Sequence, residues 1–273
     1  MKQLQADYRD HRASRRISHE NPGAAGNIVD QVEEFGFAIV DMGACESPEA
    51  ALKHLSDTVG LGGPYVSESG RTVTGASPYK SVSDYTGPEG WHVDGLLEDM
   101  GTVKTTVLYC VRRAAQGGAT VVFNAPAAFE ELRARDPAAA ETLLDPGVLT
   151  RRVLIPGGGY GEGVTGPVFA RYSDGCFVTR YSDNHTCEWN SVGAPGALER
   201  ALAFFRSASE GSRYRSAVRL APGEVLLFRN DRLSHDRESF QDDPDSPRLL
   251  VRALHTEAPK HIDQKLMGFS SRT

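Results

Sequence analysis

The feature that most constrains the fold is a succession of short apolar segments, each the length of one β-strand and separated from the next by turn residues. In chain order they are TTVLYCV (105–111), ATVVF (119–123), LTRRVLI (149–155), PVFARYS (167–173), CFVTRYS (176–182), YRSAVRL, EVLLF and RLLVRALH. Helical patterns interrupt them twice, in PAAFEELRARDPAAAETLL and GALERALAFFRSASEG. Because strands and helices do not alternate, we predict a mainly β fold with helical trimmings, a jelly-roll barrel, and not a parallel βαβ sheet.

The first third of the chain is less regular. Residues 1–25 are polar and predict a flexible leader, followed by a single jelly-roll domain over 26–273. In NIVDQVEEFGFAIVDMG the spacing predicts a helix that Gly36 ends, then a short strand, and a second amphipathic helix covers 48–59. Residues 64–90 are rich in Gly, Ser, Thr and Pro, a composition typical of a lid or binding loop. The Gly-rich run 157–166 lacks the residues of a phosphate loop and predicts a hairpin loop.

Composition narrows the class of partner. Thirty basic against thirty-six acidic residues give a net charge of −6, which does not favour nucleic acid. The N-terminus has no apolar signal region and no run of apolar residues is long enough to span a membrane, so we expect a cytoplasmic protein without a membrane partner. The four cysteines are widely spaced and are expected to be reduced thiols.

The segment WHVDG at 91–95 carries the first chemical signal. In a strand, His92 and Asp94 project from the same face and converge on one point. One further imidazole would complete a facial triad of two histidines and one carboxylate, the ligand set of non-haem iron(II) oxygenases. H-x-D alone is weak evidence; a second copy, His261-Ile262-Asp263, has no strand pattern around it and is interpreted as incidental.

The second signal lies in LAPGEVLLFRNDRLSHDRESFQDDPDSPRLLVRALH, where His235 follows a strand and a later strand carries Arg248 and Arg252. Alternation places both arginines on one face, roughly 13 Å apart. Two inward guanidiniums are costly unless each meets an anion, and a dicarboxylate such as 2-oxoglutarate would supply one. The alternative, that both face solvent on an edge strand, stays open at this point.

Taken in order, W-H-x-D, G-G-x-T, N-D-R-x-x-H and R-x-x-x-R, spread over residues 91–252, resemble the taurine dioxygenase and clavaminate synthase-like family of iron(II)/2-oxoglutarate oxygenases. The resemblance implies a double-stranded β-helix (jelly-roll) fold, with 2-oxoglutarate and O2 as co-substrates. It also implies residue roles: iron(II) and catalysis at His92, Asp94 and His235; the distal carboxylate of 2-oxoglutarate on Arg248 and Thr120; the substrate's anionic group on Arg252.

The resemblance implies a small-molecule substrate that is anionic, such as an amino acid, free or bound to a carrier protein. Taurine itself is not supported, because the loop at 66–90 does not match the taurine-binding residues of the family. The carboxylate of Asp94 favours hydroxylation over halogenation, since related halogenases have a small residue there, while desaturation, ring closure and epimerisation stay open. Tyr181, Asp183 and Asn184 would line the pocket or form a hairpin turn, and the turn is favoured.

Two other classes of protein fit the same ligand pattern. One is a zinc-dependent hydrolase or lyase on a cupin-like barrel, which has no use for Thr120 and Arg248 as a dicarboxylate clamp. The other is a catalytically silent barrel that binds a ligand, against which an intact H-x-D…H set argues.

Overall fold

The computed structural model describes residues 3–5, 7–66, 80–82, 89–155, 158–172, 175–211 and 213–262, and of 80–82 only the backbone. The helices are α1 (Ala24–Phe35), α2 (Pro48–Thr58), α3 (Ala125–Arg135), α4 (Pro137–Thr142) and α5 (Ala197–Glu210), with a short 3-10 helix at His11–Ser14. The strands are β1 (Arg16–Ser18), β2 (Phe37–Asp41), β3 (Lys80–Val82), β4 (Thr105–Arg112), β5 (Gln116–Gly117), β6 (Thr120–Phe123), β7 (Leu149–Leu154), β8 (Tyr160–Gly166), β9 (Phe169–Arg171), β10 (Phe177–Thr179), β11 (Cys187–Trp189), β12 (Arg215–Val218), β13 (Glu224–Arg229), β14 (Ser234–Arg237), β15 (Phe240–Gln241) and β16 (Leu249–His255). Within the described part of the chain, no helix has the length and apolar character needed to cross a bilayer.

Two sheets that share an apolar core form the frame of the fold. The larger has strand order β1-β2-β13-β4-β16-β3, and the smaller has order β12-β6-β14. The only parallel pair in these two sheets, as far as the described strands go, is β1 with β2. The predicted mainly β fold with helices is confirmed. Among the described strands no ladder joins the two sheets, so the predicted barrel is not closed.

Alternation along the strands explains the two layers of core. On β4, Leu108 points into the space between the sheets and packs in the same cluster as Val122 of β6. Val107, one residue earlier, points to the other face and packs in the cluster that α1 and α2 cover. Both faces of the larger sheet are therefore buried, which explains the nearly continuous apolar run of this strand.

The entry into the larger sheet follows the sequence closely. Helix α1 ends at Gly36, whose φ of 81° is left-handed and whose N–H donates to the carbonyl of Val32. Strand β2 begins at the next residue and pairs with β13. Helix α2 begins with Pro48 at its first turn, and the side chain of Ser47 accepts a hydrogen bond from the amide of Ala50. Both predicted helices and the strand between them are confirmed.

The N-terminal segment differs from the flexible leader that was expected. Tyr8 is buried and its hydroxyl donates to the carbonyl of Phe35 at 2.6 Å. Ala13 and Ile17 are also buried, and β1 adds a strand to the larger sheet beside β2. The segment is polar on average, but its few apolar side chains are spaced so that each reaches the core. The polar average composition of the segment does not reveal this spacing of its apolar residues.

The chain between β6 and β12, residues 124–214, forms a separate layer that we call the insertion. It contains α3, α4, α5 and strands β7 to β11, and its core is aromatic, with Phe129 stacked on Phe169 at 4.2 Å between ring centroids. Strands β7 and β8 form the predicted hairpin, but within the Gly-rich run residues 160–166 are strand β8 itself and only the residues before them lie in the connection, of which 158 and 159 are described.

The predicted lid at 64–90 falls mostly outside the described residues, which within it are 64–66, 80–82, 89 and 90. Strand β3 pairs with the edge of β16 and so borders the large sheet. The role of this segment as a lid stays a prediction.

Candidate active site

The two predicted histidine ligands are joined through their backbones. The amide of His92 donates to the carbonyl of His235 at 3.0 Å, and the amide of His235 returns the bond at 2.8 Å. This isolated antiparallel bridge attaches the H-x-D segment to β14. The rings consequently lie side by side, with 4.1 Å between their centroids.

The three predicted metal ligands come together in space. One ligand atom from each of His92, Asp94 and His235 can be chosen so that all lie within 4.8 Å of one another. The Nδ1 of His92 is 2.9 Å from the carbonyl of Gly90. With a proton on Nδ1 as donor to that carbonyl, Nε2 keeps a free lone pair, which is the usual arrangement of a metal-binding histidine. Two neutral imidazoles and one carboxylate suit a divalent iron ion.

Asn230 holds the carboxylate end of the motif in place. Its side-chain oxygen accepts a bond from the amide of Asp94 at 2.8 Å, and its side-chain nitrogen donates to the carbonyls of Asp94 at 3.2 Å and Val103 at 2.9 Å. Asn230 is the first residue of N-D-R-x-x-H, and the sequence pattern predicts no role for it. In the structure, the side chain of Asn230 holds the backbone of Asp94 in place.

Asp94 is buried among donors. Its Oδ2 accepts a bond from the hydroxyl of Thr106 at 2.7 Å and lies 3.7 Å from Nε2 of His235. Its Oδ1 accepts a bond from Nη1 of Arg252 at 2.6 Å. Burial alone raises the pKa of Asp94, but Arg252, the two histidines and the Thr106 hydroxyl outweigh it and hold that pKa below its usual range. Asp94 is therefore ionised at neutral pH.

Arg252 pairs with a carboxylate of the chain itself. An inward Arg252 was expected to need an anion beyond 2-oxoglutarate, and the substrate was the simplest candidate. In the structure Arg252 is inward, but the anion beside it is Asp94. Asp94 therefore supplies an anion for Arg252 within the chain, so the inward position of Arg252 does not by itself require an anionic substrate, and its substrate-binding role stays a prediction.

His235 is enclosed from several sides. It is 6% exposed, its ring lies 4.9 Å from the ring of Phe228, and its Nδ1 has no hydrogen-bond partner among the described residues. Burial, followed by the neighbouring His92, holds the pKa of His235 well below its ordinary value. The ring is therefore neutral at physiological pH, and neutral imidazole is the form that binds metal ions.

Arg248 and Thr120 line one cleft at the far end of the space between the sheets. Arg248 is 3% exposed, and Thr120 is 4% exposed. The pair Gly117-Gly118 explains the first half of G-G-x-T: φ is 69° at one and 72° at the other, both left-handed. A Cβ on Gly118 would lie 3.3 Å from Nε of Arg248, so the missing side chain leaves room for the guanidinium.

A further ion pair borders the site. Arg237 faces the same side of β14 as His235 and lies opposite Thr120 of the neighbouring strand β6. Its Nη1 lies 3.2 Å from Oε1 of Glu89, and Oε2 of Glu89 lies 3.7 Å from Nε2 of His92. An acid thus stands beside the ligand set at the end of the predicted lid segment, which sequence reasoning did not anticipate.

Two buried arginines of the insertion reach the site from the opposite side. Arg151 of β7 donates from Nη1 to the carbonyl of Val93 at 3.1 Å, and Arg180 follows β10. Both line one cleft together with Asp94. Sequence reasoning missed them, although a signal was present: in LTRRVLI, Arg151 shares its strand face with two apolar residues, Leu149 and Val153.

The remaining candidates do not contribute to this cleft. Tyr181 is buried in the aromatic core of the insertion. Asp183 pairs with Arg206 at 2.8 Å, and the side chain of Asn184 accepts a bond from the amide of Thr186 at 3.0 Å, as in a turn. The favoured turn is confirmed. His261 is exposed and lies 3.2 Å from Asp30, while Asp263 is outside the described residues.

Comparison with known proteins defines the class. The model of the taurine catabolism dioxygenase TauD, TfdA family matches residues 17–254. The chain is 49% identical over 274 residues to a uridine-5'-phosphate dioxygenase from Amycolatopsis sp, covering 95% of this chain and 99% of that protein. It is 43% identical over 250 residues to a uridine-5'-phosphate dioxygenase from Streptomyces sp, covering 86% and 90%. PvcB, described as an Fe, alpha-ketoglutarate dependent oxygenase from an isonitrile synthetic pathway, superposes with a TM-score of 0.62 at 16% identity, over 89% of this chain and 82% of that one.

The chain therefore belongs to the TauD/TfdA family. It is an iron(II)- and 2-oxoglutarate-dependent dioxygenase, an oxidoreductase, as the resemblance implied. Neither the zinc hydrolase nor the catalytically silent barrel agrees with this membership.

Proposed function

We propose that this dioxygenase oxidises uridine 5'-phosphate. The observation that carries the proposal is the 49% identity to a uridine-5'-phosphate dioxygenase, which extends over 95% of this chain and 99% of the relative. Because so little of either chain is left unaligned, the parts that select the substrate are included in the match. A nucleoside monophosphate is also a small anionic molecule, the substrate class expected from the sequence.

The proposed metal ligands are His92, Asp94 and His235. Their support is the convergence of three donor atoms within 4.8 Å, the hydrogen bond that leaves His92 Nε2 available, and the neutral state of His235. Iron(II) held there, with 2-oxoglutarate and O2, supplies the oxidising power to break an unactivated C–H bond.

The surrounding residues hold these ligands in position. Arg252 binds Oδ1 of Asp94, which orients Oδ2 towards the histidines, and Thr106 donates to that same oxygen. Asn230 fixes the backbone on which Asp94 is carried. Such neighbours typically matter by about 10- to 100-fold in metal affinity. We assign Arg252 to this positioning role ahead of the substrate-binding role that the resemblance implied.

The distal carboxylate of 2-oxoglutarate is proposed to bind Arg248, with help from the hydroxyl of Thr120. A planar guanidinium can bind a carboxylate through two parallel hydrogen bonds, and it gains from the low exposure of this cleft. The burial of both residues in one cleft supports the assignment.

The test is a survey of candidate substrates with the purified protein, iron(II) and 2-oxoglutarate in air, read out as succinate formed. Uridine 5'-phosphate, uridine, taurine and a panel of amino acids are the arms. We expect uridine 5'-phosphate to raise succinate formation well above the rate without substrate. Stimulation by an amino acid and none by the nucleotide would instead favour an amino acid, the example of a small anionic substrate given from the sequence.

The ligand assignment has a separate test. The anaerobic protein with iron(II) and 2-oxoglutarate should develop the weak visible charge-transfer band of a chelated keto acid. Absence of that band at saturating 2-oxoglutarate would remove the three residues from the metal site, whatever the substrate.

A further inference from the structure

Two arginines of the insertion are buried beside the candidate metal site without a carboxylate partner. Arg151 is 4% exposed and Arg180 is 7% exposed. The Nε of each is buried and has no hydrogen-bond partner in the described part of the chain, and neither forms a salt bridge there. Buried arginines are usually paired, because a guanidinium removed from water loses its hydration. An unpaired one keeps donors that an incoming anion can take up.

Both side chains stand next to the metal ligands. Arg151 donates to the carbonyl of Val93, the residue between His92 and Asp94. Arg180 packs over Gly166 so closely that a Cβ at this glycine would overlap its Nη1. The two arginines and Asp94 line the same cleft. An anion bound by them would therefore place the rest of its molecule within reach of the metal.

A third arginine shows how the chain treats a guanidinium that has only a structural role. Arg229 is 5% exposed, as buried as the other two. It is held by Asp231 through two bonds, Nε to Oδ1 at 2.8 Å and Nη2 to Oδ2 at 2.6 Å. Two of the acids that line the cleft already form ion pairs: Asp231 with Arg229, and Asp94 with Arg252.

The other acids lie farther from these guanidiniums. Asp99 is exposed and acts on Arg180 from beyond ion-pair distance, and Glu98 also lines the cleft. Burial lowers the pKa of Arg151 to about 10, so it still carries its charge at neutral pH. The buried end of the cleft thus presents two positive charges that no carboxylate of the described residues pairs with, although Arg151 also contacts the Val93 carbonyl and Cys187.

We propose that Arg151 and Arg180 form the subsite that binds the 5'-phosphate of the substrate. This rests on the function proposed above. A phosphate monoester carries a charge of about −1.5 to −2 near neutral pH and has three acceptor oxygens, which suits two guanidinium forks. Arg252, the arginine that the resemblance pointed to, is already bound to Asp94.

The subsite is distinct from the proposed 2-oxoglutarate site. Along β4, Thr106 contacts Asp94, while Cys110 lines the Arg248 cleft. Four residues of a strand separate the two by roughly 13 Å. Two anions, one from the co-substrate and one from the substrate, can therefore be bound at once from different directions.

The test measures binding, by calorimetry, of uridine 5'-phosphate and of uridine to the anaerobic protein loaded with iron(II) and 2-oxoglutarate. In Arg180→Gln we expect the Kd of the nucleotide to rise by about 30-fold or more, since a buried charged partner is lost. The Kd of uridine should not change, because uridine has no phosphate. Arg151→Lys, which keeps the charge and loses the fork, should give a smaller loss of the same selective kind.

Arg152→Gln is the matched control. It removes the same charge one residue away, but Arg152 is exposed and pairs with Glu188 at 2.9 Å, so both affinities should stay at the wild-type values. Inorganic phosphate should compete with the nucleotide in wild type and not in Arg180→Gln.

The outcomes separate this proposal from the proposed function. If wild type binds the nucleotide better than uridine and both arginine variants keep that preference, the subsite is wrong and the substrate stands. If wild type shows no preference for the nucleotide, the function and the subsite are both wrong. If Arg151→Lys weakens both ligands equally and also the charge-transfer band, Arg151 only positions Val93. Should Arg151→Lys not fold, Arg180→Gln alone decides.

Discussion

The two sides of the candidate site differ in how they treat buried arginines. On the side formed by the sheets, Arg252 contacts Asp94 at 2.6 Å and Arg229 is bound by Asp231 at 2.6 Å. On the side formed by the insertion, Arg151 and Arg180 are about as buried as Arg229 and have no carboxylate partner among the described residues. Arg252 and Arg229 of the sheets are thus paired within the chain and Arg248 is proposed to bind the co-substrate, whereas neither arginine of the insertion has a carboxylate partner among the described residues. This difference supports the proposal that the sheets bind the metal and the co-substrate and that the insertion selects the substrate.

The largest effect is expected at the ligand itself. Asp94→Ala should lower 2-oxoglutarate turnover, with and without substrate, by at least about three orders of magnitude, because loss of a charged metal ligand removes several kcal/mol of stabilisation. Succinate formation measures it, and Asp57→Ala, an exposed acid on α2, is the control. Turnover at the wild-type rate would take Asp94 out of the metal site. We do not expect halogenation to be gained, since placing a halide requires more than an empty position.

The next effect concerns the co-substrate cleft. Arg248→Ala should weaken 2-oxoglutarate binding by about 2–5 kcal/mol, because a buried charged pair is broken. Thr120→Ala removes one neutral hydrogen bond and should cost about 1 kcal/mol. Anaerobic titration of the charge-transfer band gives both affinities. Arg152→Ala, which removes an arginine that pairs with Glu188 on the insertion, should leave them unchanged. Equal losses in the two variants would show that the distal carboxylate binds elsewhere.

A smaller effect is expected at Arg252. Arg252→Lys keeps the charge but loses the planar geometry that holds Asp94 Oδ1, so iron affinity should fall by about 10- to 100-fold. The preference for uridine 5'-phosphate over uridine should stay at the wild-type value. Metal titration measures the iron affinity, and binding of the nucleotide and of uridine measures the preference. A lost preference with unchanged iron affinity would return Arg252 to the substrate-binding role that the resemblance implied.

The smallest effect tests the insertion without touching a charge. Gly166→Ala places a Cβ against Nη1 of Arg180 and should displace that guanidinium. We expect the Kd of uridine 5'-phosphate to rise a few-fold, because the guanidinium is shifted but its charge is kept, while 2-oxoglutarate affinity stays constant. Gly26→Ala, where a Cβ meets nothing within 4 Å, is the control. A change in 2-oxoglutarate affinity would show that the two sides of the site are coupled.

The part of the candidate site formed by the sheets could be predicted well, because its residues are recognised from short sequence patterns. His92 and Asp94 are two residues apart on an extended segment, and the left-handed φ of Gly117 and Gly118 explains why glycine stands there. The partner of Arg252 was not predictable in this way. Alternation shows that a side chain points inward, but the choice between Asp94 and a ligand depends on how separate segments pack.

The insertion was harder to interpret for a different reason. Arg151 had a usable signal in its apolar strand face, but the side chain of the adjacent Arg152 is 42% exposed, and a pair of arginines in a strand suggests a solvated surface. Which of the two is buried depends on how β7 pairs with β11, where Arg151 lies opposite Cys187 and Leu149 opposite Trp189, and this long-range pairing is not evident from the local sequence. Likewise, the N-terminal segment became ordered through single side chains such as Tyr8, which composition does not reveal.

The bridge between His92 and His235 bears on the kinetics of folding. Asn230 and Asp94, which lock the same junction, are 136 positions apart in the chain. Closing so long a loop costs entropy before any contact compensates for it, so this junction forms only after the strands between have paired. A metal ion therefore has no assembled site to bind early in refolding. We expect its uptake to follow the slowest refolding phase, so that metal binding reports completion of the whole fold.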